Sequence, residues 1–205
     1  MTDNFPVWPK IPRLHAMAFR LTEKIDGTNA RLYIRTTKDH GTAATTSDGE
    51  RHLISGSRSR IISLSSDNFG FARWVEGNKD VIAQHLPVGD YYGEWWGFGI
   101  QRGYGMKRKV FSIFNFPGQD DGQGSNTKIN DALWDINLRA VPTLGDKVEG
   151  NDLDTELWKL KAVMSPQTTH VDTIGSFAAP GYDKPEGIVM QELNSRFRYK
   201  WVWDK

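Results

Sequence analysis

The residues Glu23-Lys24-Ile25-Asp26-Gly27-Thr28-Asn29 put a lysine at the end of an apolar-patterned strand. Carboxylates stand one residue before it and two after it, and a tight turn follows. A lysine amine is a nucleophile only after losing its proton, and the charges around it govern that loss. Gly27 gives the turn conformational latitude and lets a bulky ligand approach the backbone. Taken alone, K-x-D-G equally describes a hairpin corner with a surface salt bridge.

Other chemistries drop out quickly. The chain has no Cys, so zinc ribbons, iron–sulfur clusters, Cys nucleophiles and redox pairs are excluded. His15, His40, His52, His85 and His170 never fall at a metal-ligand spacing such as H-x-x-x-H. Gly97-Phe98-Gly99 opens like a dinucleotide fingerprint, but Arg102 occupies the place of the third glycine. Neither a P-loop nor a G-x-S-x-G elbow occurs.

Downstream of Lys24 come Ser57-Arg58, Gly93-Glu94-Trp95-Trp96-Gly97, Phe111-Ser112-Ile113-Phe114-Asn115, Glu186-Gly187-Ile188-Val189 and Arg198-Tyr199-Lys200. In this order the series resembles the covalent nucleotidyltransferase superfamily of ATP-dependent RNA and DNA ligases and mRNA capping guanylyltransferases. Those enzymes share K-x-D-G, an Arg motif, a strand with a Glu, an aromatic strand, E-G-[IVL]-[VM] and a final K-x-K. The likeness is closest to phage-type RNA ligases, because Asn29 stands five residues after the lysine where DNA ligases and capping enzymes usually have Arg. The upstream PKIPRL also looks like a segment found in some RNA ligases.

The resemblance implies an α+β nucleotidyltransferase fold, ATP-grasp-like, with antiparallel sheets flanked by a few helices. It implies that Lys24 attacks the α-phosphate of ATP, expels pyrophosphate and carries AMP as a phosphoramidate. Arg58, Arg198, Lys200 and Mg²⁺ or Mn²⁺ would neutralise phosphate oxygens, guanidinium forks suiting phosphate geometry. Glu94 and Glu186 would reach a ribose hydroxyl or hold the metal, and Glu23 would accept from the adenine amine. Asp26, Gly27 and Asn29 complete the nucleotide contacts. Phe114 would stack on adenine, with Phe111 or Phe116 taking that role under a register shift. The implied substrate is RNA with 5′-phosphate and 3′-hydroxyl ends.

The chain departs from the family pattern in three places. Asn115 stands where many members have Asp, Arg198 replaces the first lysine of the last motif, and that motif follows Glu186 by only 12 residues. With 205 residues the expectation is a single catalytic domain over 1–205, without the OB-fold or helical appendage that usually grips the polynucleotide.

These residues need elements to hold them. Residues 18–36 read as two strands joined by a turn at Asp26-Gly27, with Leu32 and Ile34 alternating against Tyr33 and Arg35. Residues 37–50 read as a loop or hairpin tip, with a strand following at 51–56. Residues 69–86 have helical spacing, with a possible break at Gly77. Strands are expected at 90–96 and 109–116 around a glycine-rich turn, a loop at 118–125, short helices at 130–138 and 152–164, and strands at 187–191 and 197–203.

Net charge is +1, but residues 1–110 carry 16 Lys and Arg against 11 Asp and Glu, while 111–205 carry 10 against 14. Basic clusters stand at Arg58/Arg60, at Arg102 with Lys107–Lys109, and at Arg196, Arg198 and Lys200. No apolar run approaches a membrane span and no signal core opens the chain. The expectation is a cytoplasmic monomer that binds RNA weakly and salt-sensitively through its own basic clusters. Two other readings remain at this level: a DNA ligase or capping-type guanylyltransferase, and a nucleotide-binding module that has lost strand joining.

Overall fold

A computed structural model describes Arg13 and residues 17–38, 43–115, 129–165, 174–195 and 197–203. Phe116, the 118–125 loop and Arg196 lie outside the described residues, as do His15, His40 and His170.

Two sheets make the framework. The larger has seven strands, in the order β3 (Ala44–Thr45), β4 (His52–Gly56), β2 (Thr28–Arg35), β6 (Gly89–Gly97), β7 (Lys109–Ile113), β8 (Leu138–Ala140), with β5 (Ile61–Ile62) beside β4. The smaller has the order β11 (Arg198–Val202), β10 (Gly187–Glu192), β1 (Ala18–Lys24), β9 (Thr143–Glu149). Three α-helices, α1 (Phe71–His85), α2 (Asp131–Asp135) and α3 (Leu153–Met164), and a short 3-10 turn at Gly103–Gly105 complete the described elements. The α+β class and the sheet-dominated layout agree with the sequence. All strand pairs are antiparallel except β7 with β8, which is parallel.

The expected pair of strands at 18–36 exists, but the two strands do not pair with each other. β1 joins β10 and β9, whereas β2 joins β4 and β6. The Asp26-Gly27 turn is therefore a crossing between sheets and not a hairpin corner.

Period-two alternation builds the larger core. Ala30, Leu32 and Ile34 of β2 are buried, and with Tyr91, Trp95, Phe111 and Ile113 they form the face that α1 covers. Phe71 of α1 is fully buried, its ring 4.9 Å from Phe111, 5.4 Å from Trp95 and 5.6 Å from Trp74. The Asp67 carboxylate starts this helix by accepting from the N–H groups of Ala72 (2.8 Å) and Arg73 (3.1 Å). Helix α1 is unbroken at Gly77, because Val75 and Ile82 on either side are anchored in the core. Behind the smaller sheet, Leu153, Leu157 and Leu160 of α3 pack on Phe19, Leu21 and Ile188.

Helix α2 stops at Asp135, short of the expected 138, and Leu138 begins β8. Strand β7 ends at Ile113, leaving Phe114 and Asn115 beyond it.

Two substitutions test this account by urea denaturation. Phe71→Ala removes a ring in contact with three others and should cost about 3–5 kcal/mol. Gly77→Ala should gain about 0.5–1 kcal/mol, since a Cβ there meets nothing within 4 Å. A loss at Gly77→Ala would contradict the continuous helix.

Candidate active site

Lys24 ends β1 at the crossing, and strand alternation decides what shares its face. Arg20, Thr22 and Lys24 point one way; Phe19, Leu21 and Glu23 point the other and are buried. Across the register Arg20 meets Gln191, Thr22 meets Val189 and Lys24 meets Gly187 on β10. On β11, Gln191 meets Arg198 and Val189 meets Lys200. Arg198 and Lys200 thus stand on the Lys24 face of the smaller sheet. On the larger sheet Asn29 is paired with Glu94, opposite the core face.

Between the two faces lies a cavity of about 270 Å³, lined by Lys24, Asn29, Glu94, Phe114, Val189 and Arg198 among others. The Lys24 amine donates to Glu186 Oε2 at 2.6 Å, in an ion pair whose partners are 23% and 15% exposed. Glu94 accepts from the Gly27 N–H (3.1 Å) and from Asn29 Nδ2 (3.2 Å). Burial pushes the Glu94 carboxyl up to about 7, against the pull of the Lys24 ammonium and the Gly27 hydrogen bond, while Glu186 and Asp26 push the same way as burial.

Glu23 is fully buried. Its oxygens accept from Ser176 Oγ (2.6 Å) and the Ala178 N–H (2.8 Å). Burial raises its pKa, opposed by hydrogen bonds from Ser176, Ala178 and Phe177. Asp26 turns to Arg102, at 3.0 Å, and its N–H donates to the Tyr104 hydroxyl. Arg102 also donates to the Lys184 carbonyl. Phe114, just past the end of β7, is 39% exposed at the cavity wall, whereas Phe111 belongs to the core under α1, so of these two described residues Phe114 is the one at the cleft. Arg58, just past β4, lines a smaller adjoining cavity.

Gly27 is fixed by close approach. A Cβ there would lie 2.5 Å from the Trp95 carbonyl and 2.7 Å from Trp96 Cβ. The crowding neighbour is β6 itself, where the sequence reading allowed for a ligand.

As neighbours of the lysine, Arg20, Arg102, Tyr104 and Ser176 escaped the sequence reading, which placed Arg102 only in a basic cluster with Lys107–Lys109. Arg20 had a signal, standing two steps of two before Lys24 on the same strand. The other three reach the site from loops distant in sequence, and nothing local marks them.

No group of three or more His, Asp or Glu side chains is placed to hold a metal among the described residues. The carboxylates beside Lys24 are two, Glu94 and Glu186. Such a sparse oxygen set fits a magnesium-type ion, which keeps waters and takes further ligands from substrate phosphates. The raised pKa of Glu94 marks a place where added positive charge is favourable.

Two sheets closing on a lysine, with carboxylates at its base and cations on one wall, make this a nucleotidyltransferase-type ligase fold. The chain belongs to the RNA ligase family, whose model matches residues 17–202. Among solved structures it is similar to mutants of the Naegleria gruberi RNA ligase. One, with AMP and Mn, is 19% identical with a TM-score of 0.55, over 92% of this chain and 50% of that one. A second, with ATP and Mn, is 19% identical with a TM-score of 0.56, over 93% and 51%. A third, without ligand, is 22% identical with a TM-score of 0.56, over 91% and 49%. This chain therefore spans about half the length of those structures. No curated protein sequence matches it. No helix among the described residues is long and apolar enough to cross a membrane.

Glu94 gives a pH prediction for the metal-free protein. Its carboxyl titrates near 7 when folded and near 4.5 otherwise, so between those values the folded state binds more protons. Its contribution to stability therefore falls as pH rises from about 4.5 to about 7, and stays low above that. Glu94→Gln removes this titration. In EDTA its stability relative to wild type should rise across that window by up to the order of 3 kcal/mol. Urea midpoints with a pH-independent difference would refute it.

Proposed function

We propose that this chain is the catalytic core of an ATP-dependent RNA ligase working through a lysyl-AMP intermediate. The observation that carries the proposal is Lys24 at the sheet crossing, ion-paired with Glu186 and facing a cavity that also holds Glu94, Phe114 and Arg198.

ATP is read as lying with its adenine against the Phe114 ring and its phosphates toward Arg198 and Lys200. Glu23 also lines the cavity, and its place directly before the lysine is read as setting it to accept from the adenine amine. Lys24 must shed a proton to solvent before it attacks; Glu186, 2.6 Å away, holds the amine in place, and the cations Arg58, Arg198 and Lys200 with a bound divalent ion would favour its neutral form. Nitrogen then bonds to the α-phosphorus as the bond to pyrophosphate breaks. In the second step a 5′-phosphate oxygen of RNA attacks that phosphorus, the P–N bond breaks and Lys24 recovers a proton. In the third a 3′-hydroxyl attacks the activated 5′-phosphate and AMP leaves. A divalent ion, Mg²⁺ or Mn²⁺, held by Glu94 and Glu186 would offset the phosphate charge when bound. Positioning and charge compensation carry most of the barrier reduction in such transfers.

Incubation with α-labelled ATP and Mg²⁺ or Mn²⁺ should label the wild type and leave Lys24→Ala unlabelled, with a mass gain of one AMP. Adding 5′-phosphorylated RNA should discharge the label into adenylated and joined RNA. Phe114→Ala should raise the KM for ATP roughly tenfold, from the lost stacking. Label from GTP in place of ATP would favour a capping-type enzyme. Absence of label with every metal and nucleotide would end the ligase reading.

A further inference from the structure

The face of the larger sheet that carries Asn29 and Glu94 continues past the nucleotide cavity. With Ala30, Leu32 and Ile34 in the core, alternation leaves Arg31, Tyr33 and Arg35 on this side of β2. The register sets Arg31 against Tyr92 and Tyr33 against Asp90 on β6. It also sets Arg31 against Gly56 on β4, two residues before Arg58. From Asn29 to Arg35 the strip runs about 20 Å, enough for a few nucleotides.

Its side chains are ordered against one another. The Arg31 guanidinium lies 5.7 Å from the Tyr92 ring centroid, and that of Arg35 lies 5.3 Å from the Tyr33 centroid. The two tyrosine rings meet edge to face at 6.2 Å. Arg31 also donates to the Arg58 carbonyl, and Arg35 is ion-paired with Asp90. Tyr92 remains 38% exposed. A cavity of about 130 Å³ lined by Arg31, Arg58 and Tyr92 shares Asn29 and Phe114 with the nucleotide cavity, so strip and cleft are continuous.

The charge and the rings together identify the occupant. Beyond Glu94, Arg31, Arg35 and Arg58 outnumber the carboxylate of Asp90 along the strip among the described residues, which calls for an anion. Duplex binding through phosphates alone would not require aromatic faces. Rings interleaved with guanidiniums suit unpaired bases, which stack while the phosphates are neutralised.

We propose that this strip is the track for the single-stranded RNA end presented to Lys24, with phosphates at Arg58, Arg31 and Arg35 and bases stacked on Tyr92 and Tyr33. The identity of the polymer rests on the RNA ligase reading above.

The test measures binding of a short, fluorescein-labelled, 5′-phosphorylated single-stranded RNA to the Lys24→Ala protein, so the result does not depend on AMP transfer. In that background Arg35→Ala should weaken binding severalfold at low salt and reduce the slope of log affinity against log salt by about 0.7. Tyr92→Ala should lose roughly tenfold, and Tyr92→Trp, which keeps a stacking face, should recover it. Unchanged affinity and slope for Arg35→Ala, or a Tyr92→Trp as weak as Tyr92→Ala, would overturn the track. A greater loss for blunt duplex RNA than for the single strand would also overturn it. Wild type that never accepts AMP, with RNA affinity still lost in the strip variants, would remove the ligase reading and keep the track. Normal AMP labelling with normal RNA binding by the variants would do the reverse.

Discussion

Ile25, Asp26 and Gly27 carry the chain from the smaller sheet to the larger, and each is fastened differently. Ile25 is buried with Trp96, Tyr104 and Val110. Asp26 is held twice, by its N–H on the Tyr104 hydroxyl and by its carboxylate on Arg102. Gly27 lies so close to Trp95 and Trp96 that any side chain would push the crossing off β6. Lys24 precedes this segment and Asn29 follows it, so its fit fixes the distance between the two faces of the cleft. A rigid crossing is what preorganisation of a nucleophile against a bound phosphate requires.

Charge is sorted around that crossing. The carboxylates sit at the base of the cleft: Glu186 on the lysine and Glu94 on the Gly27 N–H. The cations Arg198 and Lys200 lie farther along the same face of the smaller sheet, where β11 forms its edge. On the ligase reading a triphosphate would meet positive charge along that wall, while the acidic base would favour a metal ion over a phosphate oxygen. The high pKa of Glu94 is the cost of burying that carboxylate next to Glu186 and Asp26 with one ammonium between them.

Much of the site was legible because strand alternation is local. The alternation of Leu32 and Ile34 against Tyr33 and Arg35 puts Asn29 on the cleft side of β2, and Lys24, Glu94 and Arg198 lie in strands at the positions expected for them, while Phe111 faces the core and Phe114, just past the end of β7, lines the cleft. The sheet partners of β1 were not legible. Glu23 pairs with Ile188 across most of the chain, and an Asp-Gly turn looks the same whether its flanking strands pair or diverge. Arg102 and Tyr104 come from a segment read only as a glycine-rich turn, and Ser176 from a loop with no pattern at all. Strand β9 escaped for a different reason: Thr143–Glu149 has no buried residue and hence no alternation to read.

Alternation on β2 also ties the stability of the core to the chemistry of the opposite face. A slip of one residue against β6 would expel Ala30, Leu32 and Ile34 from beneath α1 and drive Asn29, Arg31, Tyr33 and Arg35 inward. Burying three guanidinium or amide groups and a phenol in place of three aliphatic side chains is prohibitively unfavourable. The core thus locks the register, and the register sets the spacing from Asn29, beside the lysine, to each arginine along the strip. Because that spacing follows from the rise of a strand already held on both sides by β4 and β6, the face needs no induced fit to present its cations at fixed intervals from Lys24.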